Sequence, residues 1–173
     1  DSQRNAHGTI HGGETNIEWV QSDRPGNSGP DDYALTFKPV PDAGVGSDGD
    51  TYIDCGNPRG HFDLIRSMTS VGWVKPRGPG GGNGWIWVKQ GPRGAGAASW
   101  GAAWQDAEQS FLVPIGIRTT ECWRDRHPPE ANLPRHKWHH IAQSYDAATG
   151  RMNFYLNGEE IYSEGVGRGG ICV

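Results

Sequence analysis

Leucine, isoleucine, valine and phenylalanine are scarce in this sequence, together 28 of 173 residues. So small an aliphatic share belongs to disordered chains when a large net charge accompanies it. That charge is missing too, because the formal value is only −4. No apolar run approaches the ~18 residues of a spanning helix, so membrane insertion is not expected. No secretory leader opens the chain, which reads as a mature or excised segment. With a pI near 5.9, and with Glu121, Asp125 and Glu130 interleaved among the basic residues of 118–137, there is no basic footprint for nucleic acid. Cysteine is rare. Cys55, Cys122 and Cys172 form no CxxC pair, which excludes a zinc ribbon and a haem-attachment site. Three cysteines leave two readings open: a Cys122–Cys172 disulfide with one thiol over, or three reduced thiols.

Glycine and tryptophan are plentiful. Twenty-seven Gly and twelve Pro interrupt the chain every few residues, which favours many short elements joined by turns and therefore an all-β fold. Eight Trp, five Tyr and four Phe supply large buried areas where aliphatics are few. Strands are expected at 17–21, 33–37, 51–55, 67–75, 85–89, 97–105, 111–117, 137–145, 152–156 and 159–162. Loops separate them at 22–32, 39–50 and 79–84. A turn is expected at 105–109 and a tight loop at 146–150. Asp48-Gly49 is a hairpin-turn signal, and Asn157-Gly158 is the strongest one in the chain, because both residues tolerate positive φ. Ten short strands at this spacing suit a sandwich.

Four segments, taken in order, resemble the laminin-G-like domains of the concanavalin A-like superfamily. The clearest is Trp138-His139-His140-Ile141-Ala142, followed by Tyr145-Asp146, Gly150 and Phe154-Tyr155-Leu156-Asn157-Gly158. Met68-Thr69 with Gly72-Trp73-Val74-Lys75-Pro76, Tyr52-Ile53-Asp54-Cys55-Gly56, and Asp1-Ser2 with Asn5 and His7-Gly8-Thr9 complete the set. The resemblance implies one domain over residues 1–173: a jelly roll of two antiparallel sheets, one of them concave, in a secreted or cell-surface protein. It implies a structural calcium ion near the N-terminal turn, which nominates Asp1 and Asn5, and core positions for Trp73 and Trp138. The chain departs from the family at its end. Where an Asp-Glu-hydrophobic-Arg pattern usually closes the sandwich, it runs out at Gly169-Gly170-Ile171-Cys172-Val173. The expectation is that closing strands are missing or supplied by a protein partner, and an open edge favours association.

The chemistry of glycan cleavage is not visible. Glycoside hydrolysis needs two carboxylates at a set separation, and glucanases of this fold carry Glu-x-Asp-x-x-Glu or Glu-x-Asp-x-Glu on one strand face. Neither pattern occurs. Asp106-Ala107-Glu108 and Glu159-Glu160 with Glu164 read as solvated surface acids. Arg118-Thr119-Thr120-Glu121 lacks the Gln-x-His and Tyr-rich partners of a lyase. Among His127, His136, His139 and His140, the last two are adjacent and point to opposite sides of a strand, so one is packed and one exposed. Asp48, Asp50 and Asp54 lack the Gly and closing Glu of an EF-hand loop.

The tryptophans carry the binding expectation. Trp85 with Trp87, and Trp100 with Trp104, are spaced to share strand faces; Trp123 and Arg124 lie in a charged loop. Exposed indoles stack on the apolar faces of sugar rings, whereas inward ones fill the gap between sheets. These six residues are the carbohydrate-binding candidates, and no catalytic residue is nominated. The leading reading is a non-catalytic extracellular module that recognises a polysaccharide or a glycoprotein. Its rivals are an adhesion or assembly domain completed by a partner's strand, and a glycan-active hydrolase or lyase with unrecognised catalytic residues.

Overall fold

A computed structural model describes residues 8–12, 16–26, 29–38, 51–56, 67–77, 83–89, 100–105, 110–114, 125–126 and 132–168. Among them lie twelve strands and no α-helix: β1 Thr9–His11, β2 Ile17–Gln21, β3 Tyr33–Phe37, β4 Tyr52–Asp54, β5 Met68–Val74, β6 Asn83–Lys89, β7 Trp100–Gln105, β8 Ser110–Pro114, β9 Asp125–Arg126, β10 His139–Asp146, β11 Arg151–Leu156 and β12 Glu159–Gly165. All ten expected strands are found, with ends shifted by up to three residues; the 97–105 strand begins at Trp100, and 111–117 becomes Ser110–Pro114. β1 and β9 were not expected. They have three and two residues, too few to show a period.

The chain divides into two compact units, Asp1–His61 and Phe62–Val173. The first holds two antiparallel ribbons, β1–β4 and β2–β3. In the second ribbon Trp19 pairs with Leu35, Gln21 with Tyr33 and Ile17 with Phe37. Its connecting loop is fastened by Arg24, whose Nε and Nη2 each donate 3.0 Å to Asp32. That paired guanidinium holds the Asp32 carboxyl below the usual carboxylate range.

The second unit is built on two four-stranded antiparallel sheets, ordered β12-β11-β10-β5 and β6-β7-β8-β9. β10 sets the first sheet. His139, Ile141, Gln143 and Tyr145 are buried, while His140, Ala142 and Ser144 are half-buried; this is the alternation of a strand with one face on the core. β11 copies it with Met152 and Phe154. The 146–150 loop closes through Gly150 N donating to Asp146 O at 2.7 Å. Asn157 and Gly158 take φ of 52° and 90°, the paired positive values a tight hairpin needs. Asn157 N donates to His140 O, and Asn157 Oδ1 accepts from His140 N, so the turn is tied back to β10.

The core joins the two sheets. Met68, Ile141, Tyr145, Met152 and Phe154 from one pack with Ala102 and Trp104 from β7, with Leu133 and Val166 closing the cluster. Ala102 and Ala103 are neighbours yet both fully buried, so β7 is covered on both faces. β6 is bulged between Trp85 and Trp87. A bulge breaks the two-residue alternation, and Ile86 and Trp87, though adjacent, both pack against the core. The Trp87 ring lies over Gly72, where an added Cβ would come within 2.9 Å of Cζ3.

Candidate functional site

Register places a second set of side chains on the opposite face of the β12-β11-β10-β5 sheet, away from the core. Across β5 and β10 the pairs are Trp73–His140, Val71–Ala142 and Thr69–Ser144. Across β10 and β11 they continue as Ala142–Tyr155, Ser144–Asn153 and Asp146–Arg151. Ser163 of β12 pairs with Asn153, and Glu160 with Tyr155. Paired residues share a face, so these form one surface. Its two ends differ in character.

One end is apolar and aromatic. Val71 is 57% and Trp73 37% exposed. Trp73 meets the His140 ring edge-on, with centroids 5.1 Å apart at 60°. Just beyond, Lys75 Nζ sits over the Trp138 ring at 5.7 Å. The sequence reading put Trp73 in the core; the structure turns it outward, because it shares parity with Thr69 and Val71 rather than with buried Met68.

The other end is polar. Arg151 Nε and Nη2 both donate to Ser163 Oγ, at 3.2 and 2.9 Å; Ser163 donates to Asn153 Oδ1 at 2.7 Å; Asn153 Nδ2 reaches Ser144 Oγ at 3.5 Å. The relay ends on the Ser144 hydroxyl, opposite Thr69. Here a shallow depression of about 470 Å³ opens, lined by Ser67, Met68, Thr69, Ser144, Tyr145 and Asp146. Asp146 Oδ1 accepts from Ala148 N at 3.0 Å and Ser67 Oγ at 3.3 Å, and Oδ2 accepts from Thr149 Oγ1 at 2.8 Å. These bonds, the Ala148 amide first, hold its carboxyl below the usual range. Burial, and then the Asp146 charge, push the Tyr145 phenol up; its hydroxyl donates to Gly167 O at 3.0 Å.

Of the binding residues nominated from sequence, Trp87 and Trp104 have described side chains, and both point into one core. Trp104 is 8% exposed inside the core, its Nε1 directed at Leu133 O and its ring under the Arg135 guanidinium. Trp87 packs against the same core. Both indoles therefore fill the sandwich, the second of the two roles weighed for them. Trp85 pairs with Ala103 and Trp100 with Lys89 along β6 and β7. Trp123, Arg124, Asp1, Asn5, Cys122 and Cys172 lie outside the described residues, as do His127, Asp48, Asp50, Asp106 and Glu108. Cys55 is an exposed free thiol. His139 and His140 divide as expected, with His139 buried against Pro134 O at 3.0 Å and His140 on the outer face. Among the described residues no group of three or more His, Cys, Asp and Glu side chains is placed to hold a metal ion.

Sequence reasoning missed Val71, Ser144, Asn153 and Tyr155. The signal was available in the strict alternation of β10, which fixes its inward set; pairing against β10 then fixes the outward set of β5 and β11. It foresaw both strands of the β2–β3 ribbon of the first unit but not their aromatic face, where Trp19 is 67% exposed and Tyr33 and Phe37 are exposed beside it.

A family model described as the concanavalin A-like lectin/glucanases superfamily matches residues 47–170, well over half of the chain. A candidate carbohydrate-binding protein from Bacteroides ovatus ATCC 8483 is similar in structure, with a TM-score of 0.46 and 20% identity over 62% of this chain and 28% of its own. A native heptameric SAP-like pentraxin from Limulus polyphemus gives 0.42 and 14% over 62% of this chain and 50% of its own. The chain thus spans half or less of these structures. No curated protein matches the sequence.

Proposed function

The chain belongs to the concanavalin A-like lectin/glucanases superfamily, and from that premise we propose that it is a non-catalytic binding module for carbohydrate or a glycosylated partner. The observation that carries the reading is the outer face of the β12-β11-β10-β5 sheet. A sugar ring has apolar C–H faces and a rim of hydroxyls, and it is held best where an apolar platform adjoins a few fixed polar groups. Trp73, Val71, His140 and Tyr155 form the platform; Thr69, Ser144, Asn153 and Asp146 form the polar rim. The face, rather than the inward Trp87 and Trp104, is the proposed site.

The assembly reading needs an edge that accepts a strand. Among the described strands β12 is an edge, and it carries Glu159, Glu160 and Glu164. Charges along an edge oppose strand addition; the other edge, β5, carries none, and we place this reading second because the outer face offers the platform and rim a sugar needs. An extracellular setting and a calcium ion held by Asp1 and Asn5 accompany the proposal. Titration with soluble polysaccharides, followed by tryptophan fluorescence, tests it. A saturable change that Trp73→Ala removes supports the reading, and silence across a broad glycan panel ends it.

A further inference from the structure

Resting on the carbohydrate reading, we propose that this face selects uncharged glycan chains and reads them through ring faces and hydroxyls alone. The inference comes from an inventory of the charges bordering the face. Lys75 is seated over the Trp138 ring. Arg151 directs both Nε and Nη2 at Ser163 Oγ. Asp146 has three donors on its two oxygens. Glu160, opposite Tyr155, is solvated. Among the described residues two cations face two carboxylates, so this described border has no net charge with which to attract an anion.

The engaged groups sharpen this. A guanidinium that captures a carboxylate or sulfate uses its planar fork bidentately, whereas the Arg151 fork is turned onto a serine of its own sheet. Lys75 is drawn to an indole. Asp146 is pinned at the polar end, beside the depression where a sugar's substituents would settle. Apart from the remaining N–H groups of Arg151, the capacity left over is neutral: the Ser144 hydroxyl at the end of the relay, the Thr69 hydroxyl opposite it, the Trp73 ring and the Tyr155 ring. An acidic substituent would shed water on docking and meet a border whose attractions and repulsions offset, about 1 kcal/mol each way at ~4 Å in water, so its desolvation goes uncompensated.

Matched ligands test the proposal. A soluble β-glucan and a soluble α-glucan are each compared with their C6-carboxylated derivatives, by affinity electrophoresis and calorimetry at ~10 and ~500 mM salt. The expected result is that at least one neutral chain binds. Its affinity should move less than about two-fold between the two salts, because no ion pair is screened. Its carboxylated form should bind more weakly, by about five-fold where the uncompensated desolvation costs about 1 kcal/mol, and Glu160→Gln, which tips the border positive, should narrow that gap. A carboxylated chain that binds more tightly than its neutral parent, with affinity falling as salt rises, overturns the selectivity and leaves the carbohydrate reading standing. No response to any of the four chains counts against both.

Discussion

Trp73 and His140 face each other across β5 and β10 with ring centroids 5.1 Å apart, on the side of the sheet away from the core. Their strand neighbours Val74 and His139 point inward, so one step of the chain separates a core contact from a surface one. If this pair anchors the apolar end of the site, Trp73→Ala removes a stacking surface worth about 1–2 kcal/mol. Glycan affinity should fall roughly ten-fold. The melting temperature should move by no more than a few degrees, since the ring is not part of the core cluster. Calorimetric titration and thermal melts of the one variant check both halves.

A second prediction concerns the turn behind the depression. Gly150 has φ of +72°, and an added Cβ would lie 2.6 Å from Gly167 C and 2.8 Å from Arg168 N, both backbone. Neither the conformation nor the space suits a side chain. Gly150→Ala should cost at least about 2 kcal/mol and lower the melting temperature by several degrees. Gly158→Ala is the control: its φ is also positive, but nothing lies within 4 Å, so its loss should be smaller.

Two polar side chains inside the sandwich give a prediction of opposite sign. Gln143 is 3% exposed, and among the described residues neither its Nε2 nor its Oε1 has a partner; Ser70, directly across in register, has an Oγ likewise unpartnered among them. A buried polar group without a partner costs about 1–3 kcal/mol. Gln143→Met keeps the length and removes the polarity, and should raise the unfolding free energy by about 1 kcal/mol in urea titrations. A loss of that size would show that the amide is satisfied in solution.

The acid limb of stability should report on Asp146 and Asp32. Both carboxyls are held below their ordinary value in the folded chain. The unfolded chain therefore binds protons first as pH falls, and the stabilisation is present above the unfolded value near ~3.9 and lost as pH drops through the lower folded value. Asp146→Asn should flatten that fall in pH-dependent melts, and should leave the profile between pH 5 and 7 parallel to that of the parent.

Much of the fold was legible because its signals are local. The Asn157-Gly158 hairpin, the alternation of β10 and the Gly150 turn each follow from a few adjacent residues. The site was less legible because its signals are not local. Trp87 turns inward at a bulge, and a bulge is an extra residue relative to a partner strand, which spacing along one strand cannot reveal. Trp104 lies on a strand buried on both faces, where alternation carries no information. Trp73 is set outward by its register with His140, about seventy residues later in the chain. Tryptophan count could not say which indoles face outward; for Trp73, Trp87 and Trp104 that was decided by pairing and packing.

Tryptophan fluorescence of the intact chain and of Trp73→Ala, titrated in parallel with a panel of neutral and anionic polysaccharides, tests the central claim most directly. The account predicts a saturable change with at least one glycan in the parent and its loss in a variant that still melts cooperatively. A panel without response in the parent, or equal binding by the variant, would contradict it.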